Sequence, residues 1–196
     1  INGRLFDGDT ILNGKAVLVD DGFVREICES ADVPNDCDRI DLNRQLLVPG
    51  FVDIQVNGGG GIMVDGNTTV DSLTALAKAH RRFGTTAMLP TLITDDLTAM
   101  QTTAEAIRSA IVQNMPGIVG IHFEGPLLNI KRKGIHNQDS IRAIDDDLMT
   151  MYEANGLGIR LVTLAPETVP SGTIATLVKS GVRVCAGHTA GTYDEM

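Results

Sequence analysis

From residue 51 onward the sequence alternates short apolar runs with longer stretches of helical periodicity, and this alternation restricts the available folds more than any other feature. The apolar runs fall at 51–56, 85–89, 117–123, 159–164 and 182–186, and the helical patterns at about 70–83, 95–113, 145–154 and 171–180. Strands separated by crossovers of this length do not close as hairpins; they pair in parallel with a helix between them. The fold class is therefore α/β, with helices covering a mostly parallel sheet. Asp71 and Ser72 stand in the first turn of one predicted helix, and Thr94 precedes Asp95 and Asp96 at the next. Such residues satisfy the free N–H groups of a helix start.

Residues 1–48 follow another pattern. Short runs at 4–6, 16–19 and 23–27 are joined by Asp7-Gly8-Asp9 and Asp20-Asp21-Gly22, and an Asp-Gly pair between two such runs marks a hairpin. This part reads as a small β unit, too short to bury much core alone. The chain divides into 1–48, the N-terminal part of a small β domain, and 49–196, a strand–helix series. A closed (β/α)8 barrel takes about 250 residues, and 148 remain from residue 49. The series is either a complete five-stranded open sheet or the first part of a TIM-type barrel.

Charge and composition then narrow the function. With 25 acidic against 16 basic residues the formal charge is −9, which argues against nucleic acid as a partner. An anionic small molecule remains open, because a local field can oppose the global one. No stretch approaches the roughly 18 apolar residues of a membrane span, and the start lacks the order of a signal peptide. Cys28, Cys37 and Cys185 show no C-x-x-C spacing, which suits reduced thiols. The expectation is a cytoplasmic protein with no membrane partner.

The chemistry-bearing residues gather at the C-terminal ends of the predicted strands, where parallel α/β folds place their sites. Glu124 ends the run 118–123, and Gly125-Pro126 stops that strand. A carboxylate at such a place is costly without a partner or a metal. His188 ends the run 182–186 in the same manner, 64 residues later. Carboxylate and imidazole together suit zinc or a similar divalent ion; the alternative is a hydrogen-bonded carboxylate and an unrelated capping histidine. His122 shares a strand face with Glu124, as a packed histidine or a further ligand. His80 reads as an ordinary cation near a helix C-terminus. His136 lies in the long stretch 125–144, which exceeds the usual βα connection of about 2–6 residues and can fold over the strand end to touch a substrate. The neighbouring Lys131-Arg132-Lys133 can attract an anion or simply be solvated.

Other motifs fail. The glycines 58–61 have no Gly-Lys-Ser/Thr, and no helix opens directly after them, so neither a P-loop nor a dinucleotide fingerprint is present. A close-approach loop is the expectation there. No Gly-x-Ser-x-Gly elbow occurs, and Cys185 reads as a small hydrophobe within a strand.

Several ordered motifs together resemble one family. Val48-Pro49-Gly50-Phe51-Val52-Asp53, Gln55-Val56-Asn57-Gly58, Pro90-Thr91-Leu92-Ile93-Thr94, His122-Phe123-Glu124-Gly125-Pro126, Lys133-Gly134-Ile135-His136-Asn137, Thr163-Leu164-Ala165-Pro166-Glu167 and Ala186-Gly187-His188-Thr189 are similar to the N-acetylglucosamine-6-phosphate deacetylase family of the amidohydrolase superfamily. The resemblance implies an incomplete (β/α)8 barrel and a zinc-type divalent metal held by Glu124 and His188. It also implies substrate contacts from Ile135, His136 and Gln55. The implied reaction is metal-dependent hydrolysis of the N-acetyl group of a phosphorylated amino sugar, giving acetate. Where many superfamily members carry His-x-His, this chain has Gln55-x-Asn57, which implies one metal rather than two.

The resemblance also implies a further histidine ligand and the general-base aspartate beyond Met196, so no catalytic base is expected within the chain. The piece alone is then expected to be inactive, and the full-length enzyme to be a homo-oligomer. The same chemistry on N-acetylgalactosamine 6-phosphate, or a non-catalytic five-stranded α/β binding protein, are the alternatives.

Overall fold

A computed structural model describes residues 1–195. The chain forms two compact units, Ile1–Gly50 and Phe51–Met196. In the first unit, β1 (Arg4–Phe6) pairs antiparallel with β2 (Ile11–Asn13) through a turn fastened by Asp7, whose carboxylate accepts the N–H groups of Asp9 and Thr10 at 2.9 and 2.8 Å. Strands β3 (Lys15–Asp20) and β4 (Phe23–Glu29) form the hairpin expected at Asp21-Gly22, with a register shift between Leu18 and Val19. Asp21 and Gly22 both take positive φ, as the tight turn requires. Strand β5 (Leu46–Leu47) pairs parallel with β1.

The second unit is a five-stranded parallel sheet whose strands lie side by side in chain order. Its strands are β6 (Phe51–Val56), β9 (Thr85–Ile93), β10 (Gly120–Glu124), β11 (Ile159–Leu164) and β12 (Arg183–Ala186). Helices α1 (Val70–Arg81), α2 (Leu97–Val112), α3 (Asp146–Glu153) and α4 (Thr173–Lys179) follow the first four of these strands in turn. This is the α/β half-barrel expected. Within the β6–α1 connection, β7 (Gly58–Gly59) and β8 (Ile62–Met63) form a very short hairpin.

The helices pack on the sheet through Leu73, Leu76, Met100, Ile107, Leu148, Tyr152 and Leu177, which meet Met88, Leu92, Ile121, Phe123 and Val162 from the strands; all are essentially buried. Burying side chains of this size contributes roughly 1.5–3 kcal/mol each, so this layer carries the stability of the unit. The edge strand β6 contrasts with it: Phe51, Val52 and Ile54 are each more than half exposed.

The starts of α1 and α2 are capped, by other residues than the sequence suggested. Thr69 caps α1 in a reciprocal box with Ser72, and Asp96 rather than Thr94 caps α2 by accepting from Ala99 N–H. Thr94 is instead committed to the rim of the sheet. Strand β9 runs four residues past the expected end, through Pro90. The missing N–H of Pro90 is tolerated because its partner Val56 sits beside a register shift, as a strand proline requires. The N–H of Val56 turns to the Thr91 hydroxyl at 2.9 Å.

Candidate metal centre

Glu124 is the last residue of β10 and is 7% exposed. The pleat directs its side chain to the same face as His122, at the C-terminal end of the sheet. Gly125 turns the chain away at φ +86°, and a Cβ there would collide with the Thr94 hydroxyl. The carboxylate collects partners from separate elements. Gln55 Nε2 donates to Oε1 at 3.0 Å, and Asn57 Nδ2 to Oε2 at 3.4 Å. His188 Nε2 lies 3.1 Å from Oε1, and His136 Nε2 lies 3.8 Å away. The donor atoms of Glu124, His136 and His188 all fall within 4.8 Å of one another. These three form a possible metal-binding triad. A cavity of about 280 Å³ opens beside them, lined among others by Gln55, Glu124, Thr163, Cys185 and His188.

The two histidines differ in where the proton sits. His188 Nδ1 is 2.9 Å from the carbonyl oxygen of Arg132; a carbonyl only accepts, so Nδ1 carries hydrogen. In the neutral ring Nε2 is then a lone pair, facing a carboxylate oxygen. Two acceptors at 3.1 Å repel unless a proton or a metal ion lies between them. His136 is arranged in the opposite way. The backbone N–H of Thr94 donates to its Nδ1 at 3.2 Å, so Nδ1 accepts and Nε2 carries the hydrogen. His136 is buried, and its ring meets that of His188 edge-on at 4.4 Å. The Glu124 carboxyl is held down at about 2: the His136 imidazole lowers it most, burial opposes, and His188 and Asn57 lower it further.

His122 is satisfied without a metal. Its Nδ1 donates to Ile54 C=O at 3.0 Å, and its Nε2 takes the Thr163 hydroxyl at 2.8 Å. Burial lowers its pKa, against the Glu124 charge and the Ile54 carbonyl, so it is neutral. Ile135 stands 84% exposed at the loop tip. Lys133 turns inward and donates to the carbonyl of His136 at 3.3 Å, while Lys131 and Arg132 are exposed. His80 lies in the last turn of α1, with its Nε2 3.1 Å from Gly58 C=O. Gly59 has no room for a Cβ against that ring. Cys28, Cys37 and Cys185 are free thiols, and Cys185 is half-buried on the edge strand rather than buried. The general-base aspartate expected past Met196 lies outside the described residues.

Sequence reasoning gave Thr94 only a helix-capping role and gave Thr163 and Glu167 none, although all three order the rim. The available signal was positional: each lies near the C-terminal end of an apolar strand run, as Glu124 and His188 do.

The C-terminal end of the half-barrel sheet thus gathers a carboxylate and two imidazoles, a donor set that could hold a divalent metal ion. Residues 1–47 match the model of the NagA composite domain. The chain is 44% identical over 176 residues to N-acetylgalactosamine-6-phosphate deacetylase of Shewanella sp. (strain ANA-3), covering 89% of this chain and 45% of that protein. It is 29% identical over 194 residues to N-acetylglucosamine-6-phosphate deacetylase of Haemophilus influenzae, covering 99% of this chain and 51% of that one. The crystal structure of N-acetylglucosamine-6-phosphate deacetylase from Pasteurella multocida superposes with a TM-score of 0.93 at 35% identity, over 100% of this chain and 52% of that chain. The chain spans about half the length of the relatives it matches. It belongs to the N-acetylglucosamine-6-phosphate deacetylase family. Among the described residues no helix is long and apolar enough to cross a membrane.

Proposed function

We propose that the protein to which this chain belongs hydrolyses the N-acetyl group of N-acetylglucosamine 6-phosphate, using one divalent metal ion held by Glu124 and His188. The observation that carries the reading is the 3.1 Å approach of His188 Nε2 to Glu124 Oε1, with the other ring nitrogen already committed to a carbonyl. The donor set of one carboxylate and one imidazole suits zinc. Such an ion polarises a carbonyl and lowers the pKa of water towards about 7.

The residues of this chain do the rest of the local work. Gln55 donates to Oε1, the oxygen the histidines face, and Asn57 to Oε2, so the two amides restrain the Glu124 rotamer. His136, with its hydrogen on Nε2, is a donor rather than a ligand, suited to the oxygen of an acetamide group. A fixed donor aimed at an oxygen that gains charge is worth more in a dry site than in water. Ile135 extends beside it as an apolar substrate contact, and Lys131 and Arg132 supply positive potential for a phosphorylated sugar. The proton-accepting carboxylate and a further metal ligand belong to the rest of the protein. Its setting is cytoplasmic and its assembly a homo-oligomer.

The test is acetate release from N-acetylglucosamine 6-phosphate by the full-length protein, before and after a chelator, with metal content measured alongside. Turnover that survives complete removal of metal overturns the reading. A second reading, N-acetylgalactosamine 6-phosphate as substrate, is favoured by the 44% identity to the Shewanella enzyme. The ratio of kcat/KM for the two sugars decides between them.

A further inference from the structure

His188 is the only histidine among the described residues with positive φ, at 50°, in a region that non-glycine residues adopt at a cost. Such a conformation persists when the surroundings over-determine it, and here they do so through Glu167, just past the end of β11. Glu167 Oε1 accepts Asn129 Nδ2 at 2.8 Å and the Ala190 N–H at 2.7 Å; Oε2 accepts the Thr189 hydroxyl at 2.5 Å. Asn129 in turn gives its backbone N–H to the carbonyl of His188 at 3.0 Å. One carboxylate thus ties together the segments that follow β10, β11 and β12. A Cβ on Gly191 would lie 3.1 Å from Glu167 Oε2, so the chain wraps closely around it.

We propose that Glu167 is a positioning residue for the metal centre: it holds the His188 backbone in its left-handed conformation, so that Nε2 meets Glu124 while Nδ1 stays on Arg132. This rests on the metal reading above and goes beyond it, since Glu167 touches neither Glu124 nor the cavity beside it. Burial opposes the charge, but the three bonds to Glu167 outweigh it and hold the carboxyl at about 2, so it is ionised at neutral pH. A ligand fixed by its surroundings does not have to be ordered when the metal arrives.

The experiment measures Zn2+ affinity of the full-length protein by competition with a chromophoric chelator, with backbone hydrogen exchange of the metal-free protein alongside. Glu167→Ala is expected to weaken Zn2+ binding about 10–100-fold, the range for partners that orient a ligand. Glu167→Gln can still accept from Asn129 and Ala190 and donate to Thr189, so it restores affinity to within about twofold. In Glu167→Ala the Asn129 backbone N–H, which bonds the His188 carbonyl and not Glu167, exchanges faster, while that of Phe123 in β10 is unchanged. Should Glu167→Ala not fold, Thr189→Val removes one of the three bonds and weakens binding about fivefold. Folded Glu167→Ala, or Thr189→Val in its place, with unchanged Zn2+ affinity overturns the proposal and leaves the metal reading standing. An unaltered protein that binds no Zn2+ overturns the metal reading and the proposal with it.

Discussion

His136 and His188 approach the same carboxylate from regions built in opposite ways. His136 comes from a long irregular stretch after β10; it is buried, and its Nδ1 is filled by the Thr94 N–H. His188 follows a short edge strand with a left-handed backbone, and its Nδ1 hydrogen goes to a main-chain oxygen. Main-chain groups cannot change their donor or acceptor character, so each fixes the tautomer of the ring it touches. The same side chain thereby offers a lone pair in one region and an N–H in the other. Proximity alone does not separate a ligand from a donor; the partner on the far nitrogen does.

The largest effects test the lone-pair side. Glu124→Gln and His188→Gln in the full-length protein should each lose bound divalent metal by more than about 100-fold in affinity, beyond what outer partners cost. Metal content after dialysis checks this, and stoichiometric metal in either variant would refute that ligand. His136→Gln should behave differently, keeping its metal while kcat falls by about 10²–10³, the usual loss for one oxyanion donor. If His136→Gln empties the site as thoroughly as His188→Gln does, the distinction between the two regions collapses.

Acid separates the regions more gently. The Glu167 carboxyl makes no bond to His136 or to its Thr94 partner and lies at about 2 when folded, against an ordinary value of 4.5. Above the unfolded value the carboxylate is charged in both states and its bonds count in full. As pH falls from about 4.5 towards 2 the unfolded chain takes up the proton first, and that contribution disappears. The denaturant midpoint of the unaltered protein should therefore fall more steeply over this window than that of Glu167→Gln. Parallel curves would show that the clamp adds nothing to folding.

How much of this the sequence disclosed depended on range. The strand ends at Glu124 and His188 were legible because a polar residue after an apolar run is a local pattern. The hairpin at Asp21-Gly22 was legible for the same reason. The caps were misplaced by two or three residues, since Thr94 competes for a tertiary partner that no local pattern announces. Strand β9 was cut short at Pro90 because its tolerance depends on a register shift in the neighbouring strand. The partners of Glu167 lie 22, 23 and 38 residues away, and the His136 tautomer is set across 42 residues. Contacts of that span are properties of the fold, and a propensity argument has no access to them.

The smallest expected effect concerns how the His136 region is rooted. Tyr152 on α3 is fully buried, packs its ring 5.7 Å from that of Phe123, and donates its hydroxyl to the carbonyl of Gly125 at 3.0 Å. Burial raises its pKa far above the usual range, so the hydroxyl keeps its hydrogen. Gly125 is where the chain leaves β10 towards His136. Tyr152→Phe keeps the packing and leaves that carbonyl without its donor, which should cost about 1 kcal/mol in denaturant unfolding. Zn2+ affinity should stay the same, because the His188 side of the centre does not use this anchor. A drop in affinity with no loss of stability would mean that the two regions are mechanically coupled through β10.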